Sequence, residues 1–437
     1  MMAPSRGGKH EPTKHSVPKS ISKPAPPSVK STSNAANPSS LEDDISQDRQ
    51  QQLLNIFRHS FAARLGPDLA PLLQEVKQHL YNRDFLRAFG RDDYLEAYAV
   101  RWSASRALCY LQIFSEVVAH LPGLKEYRNS SAASGQDEDG GSGDSPPALA
   151  TASVSKPLTV SCLGGGAGAE VVALAGLLAL LDRRRIPSTS TATPNAPDTA
   201  SQGGSGAGPH PPVPLPLSLS VSAIDIADWN AVLRTLHASV TTPPPLSKYA
   251  SAAAKAAAAA PLVPAERFGA RFCQADLLAL VSQEAASEEE MGEDVLGAVG
   301  EADMVTLMFT LNELYSTSLA QTQLFLQKLT ERMRRGSLLL VVDSPGSYST
   351  VALGGKGEGE QKGKRKYPMH WLLDLALLGS VSGGGAGEVG KGQGGEERSK
   401  WTKLNTEEAK WFRLPKGLKY PIELEDMRFQ LHLYRRC

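Results

Sequence analysis

The chain has 437 residues, and its 46 lysines and arginines balance 46 aspartates and glutamates, which excludes nucleic-acid binding through bulk positive charge. The four cysteines are scattered without a C-x-x-C pair, which argues against a disulfide scaffold or a zinc site and favours a reducing compartment. The longest apolar run, residues 171–181, is about half of the ~20 residues that a membrane span needs, so we expect an intracellular soluble protein without a metal.

The N-terminal part of the chain divides into a tail and a helical region. Residues 1–46 are basic, rich in Ser and Pro and nearly free of apolar side chains, which predicts a disordered tail. This tail either carries nuclear targeting or touches RNA phosphate, or it is simply solvated. Residues 47–128 carry apolar side chains at helical spacing. In this region Arg101, Trp102 and Arg106 are either ordinary packing residues or an RNA-facing group, because arginine planes and aromatic rings stack on splayed RNA bases.

A strand, a glycine-rich turn and a long apolar helix open the next region. Residues 129–157 read as a disordered linker, and residues 158–437 as one domain. In the turn, Gly164, Gly166 and Gly168 permit close approach of a ligand to bare backbone, and the helix start offers unpaired N–H groups. A plain surface loop has the same composition, so the turn alone is a weak signal.

Four further strands each end at polar or ligand-type residues. These strand ends carry, in chain order, Asp225, then Asp276 and Leu277, then Thr310 and Asn312, then Asp343. Alternation of strands and helices predicts an α/β fold with a Rossmann-like, doubly wound and mostly parallel sheet, whose ligands bind beyond the carboxyl ends of the strands. Residues 427–435 alternate apolar and polar side chains, which predicts an antiparallel C-terminal strand at a sheet edge.

Several low-complexity stretches interrupt this domain and are interpreted as disordered insertions. They lie near residues 187–214, 241–265, 282–300, 352–366 and 379–399. Insertions of this kind are tolerated in surface connections, where they add little entropic cost.

The strand-end residues suit a nucleotide-like ligand, with alternatives left open. A carboxylate after the second strand can accept both hydroxyls of a ribose, but Asp225 or Asp228 is equally placed to cap the next helix. Asp276 either accepts from an adenine amino group while Leu277 packs on the ring, or is itself a helix cap. The spacing G-x-G-x-x-A also satisfies a relaxed dinucleotide fingerprint, although no second substrate domain of a dehydrogenase is evident.

One set of segments reads SCLGGGAGAE, SAIDIADW with its first aspartate, CQADLL, MFTLNELYS and LVVDSPGSYS. Together these resemble the class I S-adenosylmethionine-dependent methyltransferases. A second set reads RWSASRALCY, CLGGGAGAE, FTLNELYS, VDSPGSYS and WFRLPKGLKYPIELEDMRFQLHLYRR, and it more narrowly resembles the fungal 25S ribosomal RNA uridine-N3-methyltransferases, from about residue 50 to the C-terminus. The resemblance implies that Gly164, Gly166 and Gly168 lie along the methionine part of the cofactor, Asp225 on the ribose, Asp276 and Leu277 on the adenine, and Thr310 and Asn312 at the reaction centre. The acid that is common in this class just before the first glycine is replaced by Cys162, and Glu170 is the open substitute.

The resemblance also implies a reaction and a partner. The proton on uracil N3 must leave, and Glu313, Asp343 or water is placed to take it, although Glu313 is equally a helix-start residue. The implied partner is ribosomal RNA or a pre-ribosome. We expect the protein to be a monomer and to act in the nucleus or nucleolus, with the cytoplasm left open as a location. A protein or small-molecule methyltransferase and a non-catalytic assembly factor remain alternatives.

Overall fold

A computed structural model describes residues 41–121, 124, 157–185, 216–246, 248–252, 255, 260–281, 289–346, 348–351, 365–379 and 399–437. Its α-helices are α1 (Gln47–Ser60), α2 (Leu69–Tyr81), α3 (Phe85–Ala88), α4 (Asp92–Tyr98), α5 (Ala104–Val117), α6 (Ala169–Arg185), α7 (Asn230–Thr241), α8 (Glu289–Glu301), α9 (Leu311–Thr317), α10 (Leu319–Arg332) and α11 (Met369–Leu378). Its strands are β1 (Leu158–Leu163), β2 (Leu219–Asp225), β3 (Phe268–Gln274), β4 (Met304–Met308), β5 (Leu338–Asp343), β6 (Tyr348–Val351), β7 (Arg365–Pro368), β8 (Trp401–Phe412) and β9 (Met427–Arg436).

Seven strands form one sheet in the order β3-β2-β1-β4-β5-β9-β8. Neighbours from β3 to β5 are parallel, while β9 is antiparallel to both β5 and β8. The predicted doubly wound sheet with an antiparallel C-terminal strand is therefore confirmed. The order reverses between β1 and β4, so these two strands border the crevice in which such sheets bind ligands.

The predicted edge position of the C-terminal strand is wrong. β9 lies inside the sheet, where Leu431 and Leu433 are fully buried, and β8 forms the edge. Two register irregularities interrupt the pairing of β8 with β9, one between Lys403 and Asn405 and one between Glu407 and Lys410. Each bulge shifts the side-chain alternation by one residue, so β8 carries no continuous period-two pattern that the sequence analysis could recognise.

The N-terminal helices cover the outer face of α6. Side chains along one stretch of α6, including Val171, Leu174 and Leu178, are fully buried on every side of the helix. A Cβ added to Gly176 would lie 3.2 Å from Leu53 of α1 and 3.4 Å from Leu111 of α5. A helix that is apolar all round must be covered on all sides. The helical region therefore completes the hydrophobic core on one face of the sheet.

Two predicted boundaries are corrected. Residues 282–300 were expected to be a low-complexity insertion, but α8 begins at Glu289, and its Val295, Leu296 and Val299 are buried against the other face of the sheet. The tail was expected to extend to residue 46, whereas a 3₁₀ turn already occupies Leu41–Asp44. In both stretches a few apolar side chains reach the core, and their burial outweighs the polar local composition.

Other expected insertions and linkers lie mostly or wholly outside the described residues. These are residues 1–40, 129–156, 187–214, 352–364 and 380–398, together with parts of 241–265. At the end of the 241–265 stretch, Val263 is buried and its N–H donates to the carbonyl of Val240 at 3.2 Å. In the described ranges no helix is both long and apolar enough to cross a membrane.

Candidate active site

A cavity of about 570 Å³ lies at the carboxyl ends of the parallel strands. Most of the predicted site residues line it, namely Arg106, Gly164, Gly168, Asp225, Asp276, Leu277, Thr310, Asn312, Glu313 and Asp343. Its volume falls within the range of about 300–1,000 Å³ that is usual for small-molecule sites. The fold thus brings together residues that are up to 237 positions apart, from Arg106 to Asp343.

The glycine turn after β1 is shaped by side chains that press against its backbone. Gly164 has a φ of +80°, and its N–H donates to the carbonyl of Ile224 at 2.7 Å. A Cβ on Gly164 would lie 2.2 Å from the hydroxyl of Thr310, and one on Gly166 would lie 2.1 Å from the Trp229 ring. Gly166 itself does not line the cavity, so its contribution is to let Trp229 pack beneath the turn.

Asp225 ties the end of β2 to this turn. Its Oδ2 accepts the N–H of Gly166 at 3.1 Å, and its Oδ1 accepts the N–H of Ala227 at 3.2 Å. Burial raises the pKa of Asp225 to about 6, although these two hydrogen bonds act in the opposite direction. Of the two acids considered for the start of the next helix, Asp228 lies there and Asp225 does not. Asp228 accepts the N–H of Asn230 at 3.1 Å.

The third strand contributes one exposed acid and one buried apolar side chain. Asp276 is exposed, and its Oδ1 accepts the N–H of Leu278 at 2.8 Å, which forms a local turn. Leu277 is 5% exposed and packs in the core on the α8 face of the sheet while also lining the cavity. The bond from Leu278 to Asp276 therefore closes a turn before the 3₁₀ turn Ala279–Val281, and Oδ1 of Asp276 is the oxygen that it uses.

The segment after β4 turns sharply into the cavity. Phe309 has a φ of +61°, which is uncommon for a bulky residue and persists only where the surroundings hold it. Its N–H donates to the carbonyl of Val342 at 2.7 Å, and the hydroxyl of Thr310 donates to the carbonyl of Leu163 at 3.1 Å. These bonds join the ends of β1, β4 and β5 at one point.

A buried carboxylate lies directly beneath the glycine turn. Glu170, in the first turn of α6, is 3% exposed, and its Oε1 accepts a short hydrogen bond from the hydroxyl of Thr306. It also contacts the thiol of Cys162, and burial raises its pKa to about 7. Glu170 therefore places a carboxylate beside Cys162, the residue that stands where this class commonly has an acid before the first glycine.

The three residues proposed to face RNA have different environments. Arg101 is 8% exposed, and its guanidinium forms an ion pair with Glu425, whose own side chain is 55% exposed, so Arg101 lies buried behind this acid. Arg106 lines the cavity and donates to the Tyr98 hydroxyl at 2.5 Å. Trp102 lies outside this cavity and lines a smaller one beside it.

The sequence analysis missed an aromatic wall around the cavity. Its members are Phe85, Phe89, Tyr98, Tyr110, Trp229 and Phe309. Tyr98 and Phe89 meet edge to face at 5.3 Å, and Tyr98 lies 5.6 Å from Trp229. Aromatic side chains at helical spacing in residues 85–110 were the available signal, but the same spacing is typical of an ordinary core.

The fold and the site define the class. A glycine turn at the switch point, a carboxylate at the end of β2 and an aromatic cavity above the sheet are the features of a Rossmann-like protein that binds a nucleoside cofactor. Residues 57–435 match the family model Methyltransf_34, which describes SAM-dependent methyltransferases, where SAM is S-adenosylmethionine. The chain belongs to this family of SAM-dependent methyltransferases. SAM, rather than a nicotinamide, is therefore its cofactor, which removes the dehydrogenase alternative.

A curated relative supports this assignment. The 25S rRNA (uridine(2843)-N(3))-methyltransferase of Saccharomyces cerevisiae (strain ATCC 204508 / S288c) is 29% identical over 392 residues, which cover 88% of this chain and 85% of the relative. The resemblance inferred from the sequence segments is thus confirmed. Among the described residues, no group of three or more His, Cys, Asp or Glu side chains is arranged to hold a metal ion.

Solved structures show weaker similarity. An O-methyltransferase family protein from Burkholderia thailandensis is 13% identical, with 88% of this chain and 72% of that chain covered and a TM-score of 0.28. The mitomycin 7-O-methyltransferase MmcR is 12% identical, with 86% of this chain and 71% of its own covered and a TM-score of 0.24. At such scores the fold rests on the strand order of this chain and not on these neighbours.

Proposed function

We propose that this chain methylates N3 of a uridine in large-subunit ribosomal RNA. The name of the yeast relative supports this substrate, and the alignment covers most of both chains. The structural observation that supports it best is Glu313 at the start of α9. Its Oε2 accepts no hydrogen bond from the described residues and forms an ion pair with Arg83, whose Nη2 lies 3.5 Å away. A carboxylate at this place can accept the weakly acidic N–H proton that a uracil ring must lose on methylation.

The residues that line the cavity fit S-adenosylmethionine as the cofactor. Gly164 and Gly168 line the cavity where the methionine part would pass, and Gly166 keeps the turn close to Trp229. Asp225 holds the ribose hydroxyls, Asp276 the adenine amino group, and Leu277 the adenine ring. When bound, the cofactor supplies an electrophilic methyl group.

The chain's own residues then position the acceptor and its proton. Thr310 and Asn312 line the cavity at the reaction centre, where they orient the acceptor ring. Glu313 accepts the N3 proton. Asp343 has both carboxylate oxygens bonded to backbone N–H groups, so it positions α9 and does not act as the base. Alignment of the reacting groups supplies most of the rate enhancement in such a transfer.

A yeast strain that lacks the relative provides the test. Expression of this chain should restore N3-methyluridine in 25S rRNA, measured by nucleoside analysis with mass spectrometry. Asp225→Ala should restore none, and calorimetry should show that this variant has lost SAM binding. The wild-type protein should bind SAM and S-adenosylhomocysteine but not NAD.

Other outcomes would identify the alternatives. Labelled methyl that enters protein instead of RNA would contradict the proposal and indicate a protein methyltransferase. Restored ribosome assembly without any N3-methyluridine, and unaffected by Asp225→Ala, would indicate a non-catalytic assembly factor. We also propose that the protein acts in the nucleus or nucleolus, which an rRNA substrate supports, and that it acts there as a monomer.

A further inference from the structure

A second, smaller cavity of about 180 Å³ adjoins the cofactor cavity. It is lined by Trp102, Ser105, Arg106, Phe309, Glu425, Asp426, Met427 and Arg428. Arg106 and Phe309 line both cavities, so these two side chains lie between the two spaces. A ligand in the second cavity would therefore lie next to the reaction centre without occupying the cofactor's place.

The Phe309 and Arg106 side chains between the two cavities contact each other and two tyrosines. The Phe309 ring stacks on Tyr110 at 6.4 Å with an interplanar angle of 22°, and the guanidinium of Arg106 lies 5.4 Å from its centroid. Arg106 in turn donates to the Tyr98 hydroxyl at 2.5 Å. The positive φ of Phe309 projects its ring between the two cavities instead of continuing β4. A planar, partly exposed ring beside a guanidinium is a stacking platform for a nucleobase.

The charges around the second cavity favour an anionic, planar ligand. Glu425 is paired with Arg101, and Asp426 is paired with Arg413 at 2.7 Å, so both acids are neutralised by partners. Arg428 is exposed and makes no ion pair among the described residues, while its guanidinium lies 5.8 Å from the ring of Trp411. Trp411 is itself 48% exposed and stacked under Arg413 at 3.8 Å. A cation without an ion-pair partner beside an exposed aromatic ring suits a single-stranded nucleic acid.

We propose that the second cavity receives the nucleotide next to the target uridine in an unpaired RNA segment. Its base stacks on Trp102 and Phe309 and Arg428 contacts its phosphate, while the target uracil enters the cofactor cavity. The proposal rests on the proposed rRNA methylation and adds the residues that hold the RNA strand beside the acceptor. Because N3 of a paired uracil is blocked, only an unpaired or flipped base can enter.

Kinetics with purified protein and an rRNA fragment test the stacking contact and the charge contact separately. Trp102→Ala should lower kcat/KM for RNA by roughly 5- to 150-fold, the range expected for the loss of one base–aromatic stack, and Trp102→Phe should restore most of it. Arg428→Glu should raise KM for RNA more than it lowers kcat. The matched control is Arg335→Glu, because Arg335 is also exposed but precedes the opposite end of β5. It should leave kcat/KM unchanged. All variants should keep the SAM affinity of the wild type, and Trp102→Ala alone should melt at a lower temperature, because Trp102 packs against the core.

Well-folded Trp102→Ala and Arg428→Glu variants with wild-type kcat/KM for RNA would overturn the proposal. Failure of the proposed function is a separate result, namely the absence of methyl transfer to RNA by the wild-type protein. In that case, cross-linking with RNA that contains 4-thiouridine tests whether the second cavity binds RNA. Cross-links to Trp102 or Phe309 would support RNA binding there, and their absence would reject it.

Discussion

The carboxylate of Asp343, at the end of β5, accepts the backbone N–H of Asn312 at 2.9 Å. Its other oxygen accepts the N–H of Ser344 at 2.7 Å, and the side chain is 2% exposed. Burial raises the pKa of Asp343 to about 6. One buried acid thus joins the end of β5 to the first turn of α9, the helix that carries Asn312 and Glu313.

We expect Asp343→Asn to impair catalysis by misplacing α9. An amide offers one acceptor oxygen, so its NH₂ group would face one of the two backbone donors. This should cost about 1–3 kcal/mol of unfolding free energy, measured by urea denaturation. It should also lower kcat while the pH dependence of kcat keeps its shape. A variant that lost the alkaline or acidic limb of that profile would instead identify Asp343 as the proton acceptor.

Glu313→Gln tests the base directly. If Glu313 takes the N3 proton, its amide variant should lose about 10²–10⁴-fold in kcat while SAM affinity stays unchanged. Arg83→Gln provides the comparison, because Arg83 lies 3.5 Å from the same carboxylate and is itself 52% exposed. Removal of this surface pairing alone should change kcat by less than about fivefold. Equal effects of the two substitutions would show that the pairing matters and the proton transfer does not.

The buried Glu170 should make stability depend on pH in a predictable direction. Its pKa rises from an ordinary 4.5 to about 7, so between these values the folded state binds the proton and the unfolded state does not. The unfolding free energy therefore falls as the pH rises through this window. With about 1.4 kcal/mol per pKa unit, the loss approaches about 3 kcal/mol.

Glu170→Gln should remove this dependence, because the amide keeps an acceptor for Thr306 and carries no charge. Urea denaturation of both proteins at pH 5 and pH 8 measures it. The unfolding free energy of the variant should exceed that of the wild type more at pH 8 than at pH 5. Asp225 and Asp343 are present in both proteins, so their own contributions to the pH dependence cancel in this difference. A constant difference at the two pH values would contradict a raised pKa at Glu170.

Two glycine-to-alanine substitutions should differ in their effect, because one disturbs the cofactor turn and the other stabilises a helix. In Gly166→Ala the new Cβ would lie 2.1 Å from Trp229 and 2.8 Å from the Cβ of Asp225, so the turn must shift and SAM binding should be lost. Gly297→Ala in α8 meets nothing within 4 Å, and it should stabilise the helix by up to about 1 kcal/mol. Calorimetry with SAM and thermal melting of both variants provide the check. SAM binding by Gly166→Ala at wild-type affinity would exclude a tight turn.

The packing of the N-terminal helices on α6 should contribute to the free energy of unfolding. Leu111 on α5 is fully buried against α6, so Leu111→Ala should cost about 2–5 kcal/mol of unfolding free energy. Leu324 on α10 is 51% exposed, and the same substitution there should stay within about 0.5 kcal/mol. Chemical denaturation distinguishes the two. Similar small losses at both positions would mean that α5 does not stabilise the sheet domain.

Much of the fold was predictable because its signals are local. The turn from Gly164 to Gly168, the apolar strands before Asp225 and Asp343, and the helical spacing of residues 47–117 each follow from neighbours in the chain. β8 was missed because its bulges break the alternation, and α8 because its polar residues dominate the local composition. In both elements the apolar contacts that decide the structure come from distant parts of the chain.

The sequence by itself determined the class of fold, the glycine turn and the strand-end residues that line the cavity, because each depends on short segments with a local physical meaning. It indicated the methyltransferase family through the resemblance of longer segments. Only the tertiary structure decided that Arg101 is paired with Glu425, that Glu170 is buried and bonded to Thr306, and that Phe309 lies between two cavities. Arg101 and Glu425 are 324 positions apart, Glu170 and Thr306 are 136 positions apart, and the place of Phe309 depends on one backbone angle. Spacing in a sequence encodes neither long-range packing nor burial, and it is burial that gives the charged groups of this site their partners and their pKa values.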